Sequence, residues 1–374
     1  MANLASMLPS VPKSLGRLSD VYLSTYLALG TSENPLKLTT RKSYLVILVD
    51  GLGTANVKSA GGHASFLNQK LRSAKSLFSG FPATTTTSLT SMATGESNGN
   101  HAVLGHRVYD RKLKQNINFL NDLGGELDPA KYQDLETISE RASAQGVTVS
   151  TIGPAEYDRS GFTMATMPAS KYISAESFKG RFSQSLKALA VANSLTYLYF
   201  PELDQLAHRF GASSTQWLNA IEELDSELAK FAAALPSNSG AVLTADHGII
   251  DVALDRHVYL DEFESFVDLE QIGGDPRVGF LYFKSGTDVK KKVIEIEQEI
   301  GGICDVVTCS ELVEAGWLAK LSTQAWEVAP DLVLLPKSDR VVYHRGFVKS
   351  RSLLMIGQHG GMTQAEWEVP LIVF

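Results

Sequence analysis

Two apolar runs that each lead into an aspartate constrain the fold of this chain more than any other feature. Residues 44–49 read YLVILV and are followed by Asp50 and a glycine, and residues 241–244 read AVLT and are followed shortly by Asp246. Uninterrupted apolar runs of this length are typical of strands that are buried on both faces of a sheet. We therefore expect a sheet that is covered by helices on both sides.

Further strand patterns alternate with amphipathic helical patterns, which predicts a largely parallel sheet. Strands are predicted at residues 44–50, 76–78, 147–152, 195–200 and 241–244, and helices at residues 64–74, 135–145, 178–192 and 215–235. In such a sheet, ligand sites lie beyond the carboxyl ends of the strands. Asp50, Asp204 and Asp246 all follow predicted strand ends, so we expect these three carboxylates to lie near one another.

The domain organisation follows from where the alternating pattern starts and where it changes. We predict an N-terminal extension, residues 1–43, that packs on a single domain formed by residues 44–374. Within that domain, residues 252–335 have a different sequence pattern, which predicts a possible small subdomain, either an extra sheet or a cap. Its predicted elements are a strand at 277–283, a helix at 289–300 and a strand at 331–335.

Composition excludes some classes of partner. The net charge of −7 over 374 residues argues against binding to nucleic acid polymers or to anionic membranes. Residues 1–41 contain no long apolar run, so we predict no signal peptide, no membrane span and a cytoplasmic location. Cys304 and Cys309 are the only cysteines. We expect free thiols, although a local bridge stays open as an alternative. The oligomeric state is left undetermined.

Residues 81–95, which read FPATTTTSLTSMATG, predict a break followed by the start of a helix. Backbone N–H groups and the helix dipole favour negative charge at such a start. A threonine placed there suits a nucleophile that attacks a phosphoryl group, provided that a base or a metal ion activates it. The alternative is that the hydroxyl run only caps an ordinary buried helix.

Three further motifs contain imidazoles, two of them with a carboxylate at short spacing. Asp204 and His208 are separated by four residues, Asp246 is followed directly by His247, and His359 lies in the glycine-rich sequence GQHGG. A mixed set of Asp, His and Thr ligands suits Zn, and also Mn or Fe, better than Mg or Ca. The alternative for each pair alone is a hydrogen-bonded couple without a metal.

Taken together and in this order, the motifs resemble the alkaline phosphatase superfamily, most closely its nucleotide pyrophosphatase/phosphodiesterase branch. The resemblance covers residues 45–373. It implies an α/β/α sandwich with a mostly parallel central sheet and two divalent metal ions. In that family the nucleophile lies three residues after a proline and ten before a glycine. Both counts, from Pro82 and from Gly95, select Thr85, with Thr84 and Thr86 left as alternatives.

The resemblance also implies a ligand for each position of the two-metal centre. One ion would be held by Asp50, Thr85, Asp246 and His247, and the other by Asp204, His208 and His359. The remaining histidines match no ligand position, and we interpret them as surface or structural residues: His63, His101, His257 and His344.

Two departures from the family pattern concern the substrate. The family has an aromatic residue directly after the nucleophile, where this chain has Thr86, so half of a nucleobase clamp is missing. Tyr199 matches the opposing aromatic and is predicted to bind substrate. His106 stands where the family has an asparagine that donates to a phosphoryl oxygen. A ring N–H of His106 is predicted to replace that donor, the alternative being a loop histidine without a role.

The resemblance implies a metal-dependent hydrolase of small phosphate esters, a phosphodiesterase or nucleotide pyrophosphatase that acts through a phosphothreonine intermediate. Two alternatives stay open: a phosphomonoesterase or phosphonate hydrolase with the same centre, and a non-catalytic metal-bound domain that binds a phosphorylated partner. Sulfatase chemistry is disfavoured, because residues 85–89 lack the cysteine or serine and the arginine needed to form a formylglycine.

Overall fold

The structure is a computed structural model that describes residues 8–124 and 127–374. Its α-helices are α1 (Ser19–Leu27), α2 (Thr54–Ser59), α3 (Ser65–Leu71), α4 (Thr85–Thr94), α5 (Asn98–His101), α6 (Pro129–Tyr132), α7 (Ile138–Ala144), α8 (Gly161–Thr166), α9 (Phe178–Leu189), α10 (Glu202–Phe210), α11 (Thr215–Ala234), α12 (Val289–Ile300), α13 (Cys309–Glu314), α14 (Thr323–Val328) and α15 (Gln364–Trp367).

Its strands are β1 (Gly16–Arg17), β2 (Ser43–Val49), β3 (Lys75–Phe78), β4 (Arg107–Asp110), β5 (Gln115–Asn118), β6 (Thr148–Gly153), β7 (Lys171–Ser174), β8 (Ser194–Phe200), β9 (Ser239–Thr244), β10 (Ile250–Asp251), β11 (His257–Tyr259), β12 (Leu269–Asp275), β13 (Val278–Phe283), β14 (Cys304–Val307), β15 (Leu332–Pro336), β16 (Val341–Tyr343), β17 (Gly357–Gln358) and β18 (Glu368–Val373).

The central sheet has eight strands in the order β1-β3-β18-β9-β2-β8-β6-β7. The strands from β9 to β7 are parallel to their neighbours, whereas β18 runs antiparallel to both β3 and β9. In the register of β2 and β8, Val49 pairs with Phe200, so these two strands end at the same level of the sheet. The loops that follow them therefore meet at one edge.

Helices cover both faces of this sheet. Every residue of β2 is buried, although successive side chains point to opposite faces. Helices α1, α4 and α7 pack against one another, and α3, α9 and α10 each pack against α11. The predicted fold class, an α/β/α sandwich with a mostly parallel central sheet, is confirmed.

Several elements of this sandwich were not predicted from the sequence, among them two short helices and one central strand. Helices α2 and α8 are only six residues long, too short to show an apolar period. Strand β18 lies inside the sheet between β3 and β9, although Pro370 lacks the N–H that an interior strand normally donates. A proline is typical of an edge strand, so this stretch of sequence does not indicate a central strand.

Outside the central sheet, β12, β13, β15 and β14 form an antiparallel four-stranded sheet in the region predicted as a subdomain. Residues 1–7 of the predicted N-terminal extension lie outside the described residues. The rest of that extension supplies β1 to the sheet edge and buries Tyr22 in the core. Cys304 and Cys309 are buried free thiols. Among the described residues, no helix combines the length and the apolar character needed to cross a membrane.

Candidate metal centre and active site

Three neighbouring strands bring the predicted carboxylates to one edge of the sheet. Asp50 directly follows β2, Asp246 comes two residues after β9, and Asp204 lies in the first turn of α10, which follows β8. Because β9, β2 and β8 are adjacent and parallel, their carboxyl ends coincide. The grouping predicted from the sequence is thus a consequence of strand order.

Their side chains form two overlapping groups of ligand atoms. The ligand atoms of Asp50, Asp246 and His247 lie within 4.8 Å of one another, and so do those of Asp204, His247 and His359. His247 Nε2 is 3.4 Å from Asp50 Oδ1 and 3.6 Å from Asp246 Oδ2. His247 therefore contacts both groups. In the sequence-based assignment it belonged to only one of them.

The histidines of this cluster share one orientation. Nδ1 lies 2.7 Å from the carbonyl oxygen of Gly357 in His208, 3.1 Å from that of Ala83 in His359, and 3.3 Å from that of Gly248 in His247. A carbonyl oxygen only accepts, so each Nδ1 must donate its proton. Each Nε2 then turns toward the carboxylates, which is the arrangement of metal-ligating histidines held by backbone carbonyls.

Electrostatics differ across the cluster. Burial raises the pKa of Asp50 well above its usual value, and the charges of Asp246 and Asp204 raise it further. Burial also raises the pKa of Asp246, and this outweighs the opposing effect of His247. Burial alone would raise the pKa of Asp204, but His208 at 3.2 Å lowers it below its usual range.

The two histidines beside Asp204, His208 and His359, respond in opposite ways. Burial disfavours a charged His208, but the neighbouring Asp204 carboxylate raises its pKa to about 9. Burial, together with the nearby His247, holds the pKa of His359 well below its usual value. The rings of His247 and His359 are stacked with centroids 3.7 Å apart. Their closeness makes two imidazolium charges unfavourable at this point.

The residues present fit divalent cations. Asp50 Oδ1, Asp204 Oδ1 and Asp246 Oδ2 are buried and have no hydrogen-bond partner among the described residues. Burying an unpaired carboxylate oxygen is costly unless a charge compensates it. The cluster contains three such oxygens and the inward-facing Nε2 atoms. Together they form a set of ligand atoms whose negative charge a bound cation would compensate.

Of the threonines considered as nucleophile, Thr85 is the one that faces the cluster. It is the first residue of α4, and its Oγ1 lies 3.2 Å from His247 Nε2. Thr84 is fully buried and its hydroxyl contacts Thr87. Thr86 is also fully buried, and its hydroxyl has no partner. Only Thr85 among the three also lines the cavity that opens beside the carboxylates.

Tyr199 lines the same cavity, but it has a second contact that was not foreseen. Its hydroxyl donates to Asp50 Oδ2 over 2.5 Å, and its ring lies against those of Tyr197 and Tyr157. The strand register would have revealed this contact, because Tyr199 pairs with Leu48, two residues before Asp50. Tyr199 thus orients a predicted metal ligand as well as facing the cavity.

A cavity of about 270 Å³ opens beside Thr85, Asp50 and Asp204. Its other walls come from Leu89 and from aromatic residues of the segment that contains α8, including Phe162. This wall was not predicted, because the short helix α8 shows no apolar period in the sequence. Leu89 lies four residues after Thr85 on α4, so helical spacing alone would have placed it on the same face.

His106 lies near the cluster but outside this cavity. Its ring makes no hydrogen bond to the described residues. Burial lowers its pKa, and the charge of Asp275 opposes that effect. The role predicted for His106 as a phosphoryl donor stays a prediction.

The other four histidines are placed apart from the cluster. His63 is exposed and pairs with Glu222, and His344 is part-exposed. His257 is buried against Tyr343. His101 is fully buried: its Nδ1 accepts from the N–H of Val103, so its Nε2 donates to Ser91.

The turn that carries His359 is held by a buried ion pair that sequence reasoning missed. Glu366 forms a bidentate pair with Arg277, with both N–O distances 2.9 Å. Its carboxylate also accepts from the N–H of Gly361, and its carbonyl oxygen accepts from the N–H of Gly248. Glu366 therefore contacts the residue directly after His247 and the residue two positions after His359.

Comparison with sequences of known proteins identifies venom phosphodiesterases as relatives of this chain. The chain is 24% identical to a venom phosphodiesterase of Naja atra over 253 residues, which are 63% of this chain and 29% of that protein. It is 24% identical over 233 residues to venom phosphodiesterase 2 of Crotalus adamanteus, covering 59% of this chain and 27% of the relative. The chain thus spans under a third of the length of these relatives.

Solved structures share the fold. Murine ectonucleotide pyrophosphatase/phosphodiesterase 5, as an inactive threonine-to-alanine variant in complex with AMP, superposes with a TM-score of 0.70 at 14% identity, covering 88% of this chain and 87% of that one. Phosphonoacetate hydrolase from Sinorhizobium meliloti 1021, in complex with phosphonoformate, gives 0.67 at 16% identity, covering 89% and 90%.

The cluster at the sheet edge and the threonine at the start of α4 both lie within residues 44–361. The sequence model of one family, type I phosphodiesterase / nucleotide pyrophosphatase, matches those residues. That match covers most of the chain, and the solved structures that share its fold belong to the alkaline phosphatase superfamily. The chain therefore belongs to the type I phosphodiesterase / nucleotide pyrophosphatase family.

Proposed function

We propose that this protein is a metal-dependent phosphate-ester hydrolase that cleaves phosphodiesters of small molecules, with Thr85 as the nucleophile. One observation carries the proposal: three buried carboxylates with unpaired oxygens and three histidines with inward-facing Nε2 atoms lie beside a threonine at a helix start. A purely structural cluster would be expected to satisfy those oxygens internally.

Two divalent cations fit the donor set, with Zn the metal that we propose and Mn or Fe as alternatives. One would be held by Asp50, Thr85, Asp246 and His247, and the other by Asp204, His208 and His359. When bound, such a pair supplies charge that stabilises the attacking and leaving oxygens of an in-line displacement.

The chain's own residues account for the rest of the reaction. Thr85 Oγ loses its proton and forms a bond to phosphorus as the bond from phosphorus to the leaving oxygen breaks. The leaving oxygen takes up a proton, which yields an alcohol and a phosphothreonine that keeps the other ester group. The N–H groups at the start of α4 favour the negative charge of the transferred group. Water then cleaves the phosphothreonine, releasing a phosphate monoester and restoring the Thr85 hydroxyl.

The relatives support a diester as substrate. Two are named venom phosphodiesterases, and one structural neighbour was solved with AMP as an inactive threonine-to-alanine variant. The phosphonate hydrolase neighbour keeps the second candidate, hydrolysis of a phosphonate by the same centre, as an alternative. A cytoplasmic location remains a prediction from the sequence.

The test is Thr85→Ala with Thr86→Ala as the matched control on the same helix turn. With bis-p-nitrophenyl phosphate as substrate, we expect Thr85→Ala to lower kcat on the order of 10⁴-fold or more, as for loss of other nucleophiles. Both variants should keep the melting temperature of the parent protein, and Thr86→Ala should also keep its metal content. Near-normal turnover by Thr85→Ala, or faster turnover of p-nitrophenyl phosphate than of the diester, would contradict the proposal.

A further inference from the structure

A single buried guanidinium lies where strand β8 passes into helix α10. It belongs to Arg181 of α9, whose side chain is 1% exposed. Its central carbon Cζ lies 4.9 Å from the ring centroid of Phe200 and 5.7 Å from that of Phe178. A buried charge between two aromatic rings is costly unless hydrogen bonds and a counter-charge compensate it.

The guanidinium of Arg181 has five N–H donors, and each of them has an acceptor. Nε donates to the carbonyl oxygen of Ala175 at 2.9 Å. Nη1 donates to the carbonyl oxygen of Tyr199 at 3.2 Å and to Glu202 Oε2 at 3.0 Å. Nη2 donates to the carbonyl oxygen of Glu176 at 2.5 Å and to Glu202 Oε1. A lysine has three donors and no planar fork, so it cannot satisfy this set of acceptors.

Two of these acceptors belong to a short segment, residues 199–204, that reaches both parts of the candidate metal centre. The hydroxyl of Tyr199 donates to Asp50 Oδ2, and the carbonyl oxygen of Phe200 accepts from the N–H of Asp50 at 2.9 Å. The segment ends at Asp204, in the first turn of α10. It therefore orients one predicted ligand and supplies another, and these two ligands are assigned to different ions.

The other acceptors tie the guanidinium to a different part of the sandwich. Ala175 and Glu176 directly follow β7. The N–H of Ala175 donates to the carbonyl oxygen of Gly153, the last residue of β6, at 2.9 Å. The Glu176 carboxylate accepts from the N–H of Ala155 at 2.9 Å. Arg181 thus connects residues 199–204 to a region that carries no predicted metal ligand.

We propose that Arg181 is a positioning residue that fixes the spacing between the two groups of metal ligands. It holds residues 199–204 at Tyr199, whose hydroxyl orients Asp50, and at Glu202, the first residue of the helix that carries Asp204. The inference rests on the proposed function, because an in-line displacement between two ions depends on the distance between them.

The test compares two variants that release different ends of this segment. Arg181→Lys keeps the charge but loses most of the acceptors, so it should weaken the binding of both ions about tenfold. Glu202→Gln leaves the bond to the Tyr199 carbonyl, so it should weaken only the ion assigned to Asp204. Competition with a chelator of known affinity measures both ions. Unchanged affinities in Arg181→Lys, or an equal loss at both ions in Glu202→Gln, would overturn the inference.

Two controls separate positioning from general loss of stability. Ile296→Ala removes a fully buried side chain from a separate hydrophobic cluster. It should lower the melting temperature and leave both metal affinities unchanged. Arg345→Lys alters an arginine that also pairs with two carboxylates, those of Asp261 and Glu262, and it should change neither affinity. If Ile296→Ala weakens metal binding as much as Arg181→Lys does, Arg181 supports the fold only.

Electron paramagnetic resonance of the protein loaded with two Mn(II) ions per chain tests the spacing itself. Two such ions about 4 Å apart couple magnetically, and the coupling depends on their separation. At equal metal occupancy, Arg181→Lys should show a changed coupling or the signals of separate ions, whereas Ile296→Ala should keep the spectrum of the parent protein. Identical spectra for Arg181→Lys and the parent protein would overturn the inference.

Neither measurement needs turnover, so failure of this inference is distinguishable from failure of the proposed function. If no phosphodiester is hydrolysed but the variants change affinity and coupling as expected, the positioning role holds and the hydrolase proposal fails. If phosphodiesters are hydrolysed but Arg181→Lys keeps both affinities and the coupling of the parent protein, the positioning role fails and the hydrolase proposal stands.

Discussion

The two groups of residues assigned to the metal ions differ in charge, although they lie side by side. The oxygen-rich group combines two carboxylates with one imidazole and consists of Asp50, Asp246 and His247. The nitrogen-rich group combines one carboxylate with two imidazoles and consists of Asp204, His208 and His359. The pKa of Asp50 and of Asp246 is raised, but that of Asp204 is lowered. The first group therefore lacks a positive charge, while the second is partly neutralised by its own ion pair.

This difference has a consequence for metal binding. In the oxygen-rich group, an incoming cation relieves repulsion between buried carboxylates. In the nitrogen-rich group, it must displace a proton from His208, whose pKa is about 9, because metal ligation requires the neutral imidazole. We expect the oxygen-rich group to load first at neutral pH and the nitrogen-rich group to gain affinity as the pH rises toward 9.

The largest effect should distinguish the shared ligand from an unshared one. His247 contacts both groups, so His247→Ala should reduce the content of both metal ions, whereas His359→Ala should mainly reduce that of the nitrogen-rich group. Each ion supplies several kcal/mol of charge stabilisation. We therefore expect kcat/KM to fall on the order of a thousandfold in both variants, with metal per chain measured by elemental analysis.

His63→Ala is the control for this pair, since His63 is an exposed histidine that pairs with Glu222 outside the cluster. It should keep both the metal content and the activity. If His247→Ala loses only one ion while His359→Ala loses none, the two groups do not share His247 as a ligand.

A smaller effect is expected from the ion pair of Glu366 with Arg277, which holds the turn that carries His359 of the nitrogen-rich group. Glu366→Gln leaves the buried Arg277 without its counter-charge, which should lower the free energy of unfolding by about 3–5 kcal/mol. Because Glu366 also accepts from the N–H of Gly361, two residues after His359, metal affinity there should fall by about 10- to 100-fold. Metal titrations below the melting temperature of the variant separate the two effects.

The matched control is Glu222→Gln, which removes an exposed carboxylate charge of the same kind. It should change neither the unfolding free energy nor the metal affinity measurably. Reduced stability of Glu366→Gln with unchanged affinity for both ions would mean that the pair supports the fold without orienting the His359 turn.

Much of this centre was predictable because its ligands follow buried strands in the sequence. The runs before Asp50 and Asp246 determine the edge at which both residues lie, and parallel neighbours bring Asp204 to the same edge. The family's spacing of its nucleophile from a proline and a glycine also selected Thr85, which is the threonine that faces the cluster. These features are local to a strand end or a helix start, so they are encoded in short stretches of sequence.

The rest depends on contacts between distant parts of the chain. Glu366 and Arg277 are separated by 89 residues, and no pattern near either one indicates the pair. Phe162 lies on a six-residue helix with no apolar period, so its place in the cavity wall follows only from the tertiary arrangement. The sharing of His247 is likewise a matter of distances between side chains on separate loops.

The smallest effect concerns the oxygen-rich group and the hydroxyl of Tyr199. Tyr199→Phe removes the donor to Asp50 Oδ2 and leaves this oxygen of a buried carboxylate without a partner in a group already short of positive charge. Loss of a hydrogen bond to a metal ligand should weaken binding of the oxygen-rich group's ion by about tenfold and leave the other ion unaffected. Tyr109→Phe is the matched control, because its hydroxyl donates to Glu270, which is not a residue of the centre. Competition with a chelator of known affinity measures both ions in each variant. An equal loss at both ions would show that the two groups behave as one site, and an unchanged affinity would show that Asp50 is oriented without Tyr199.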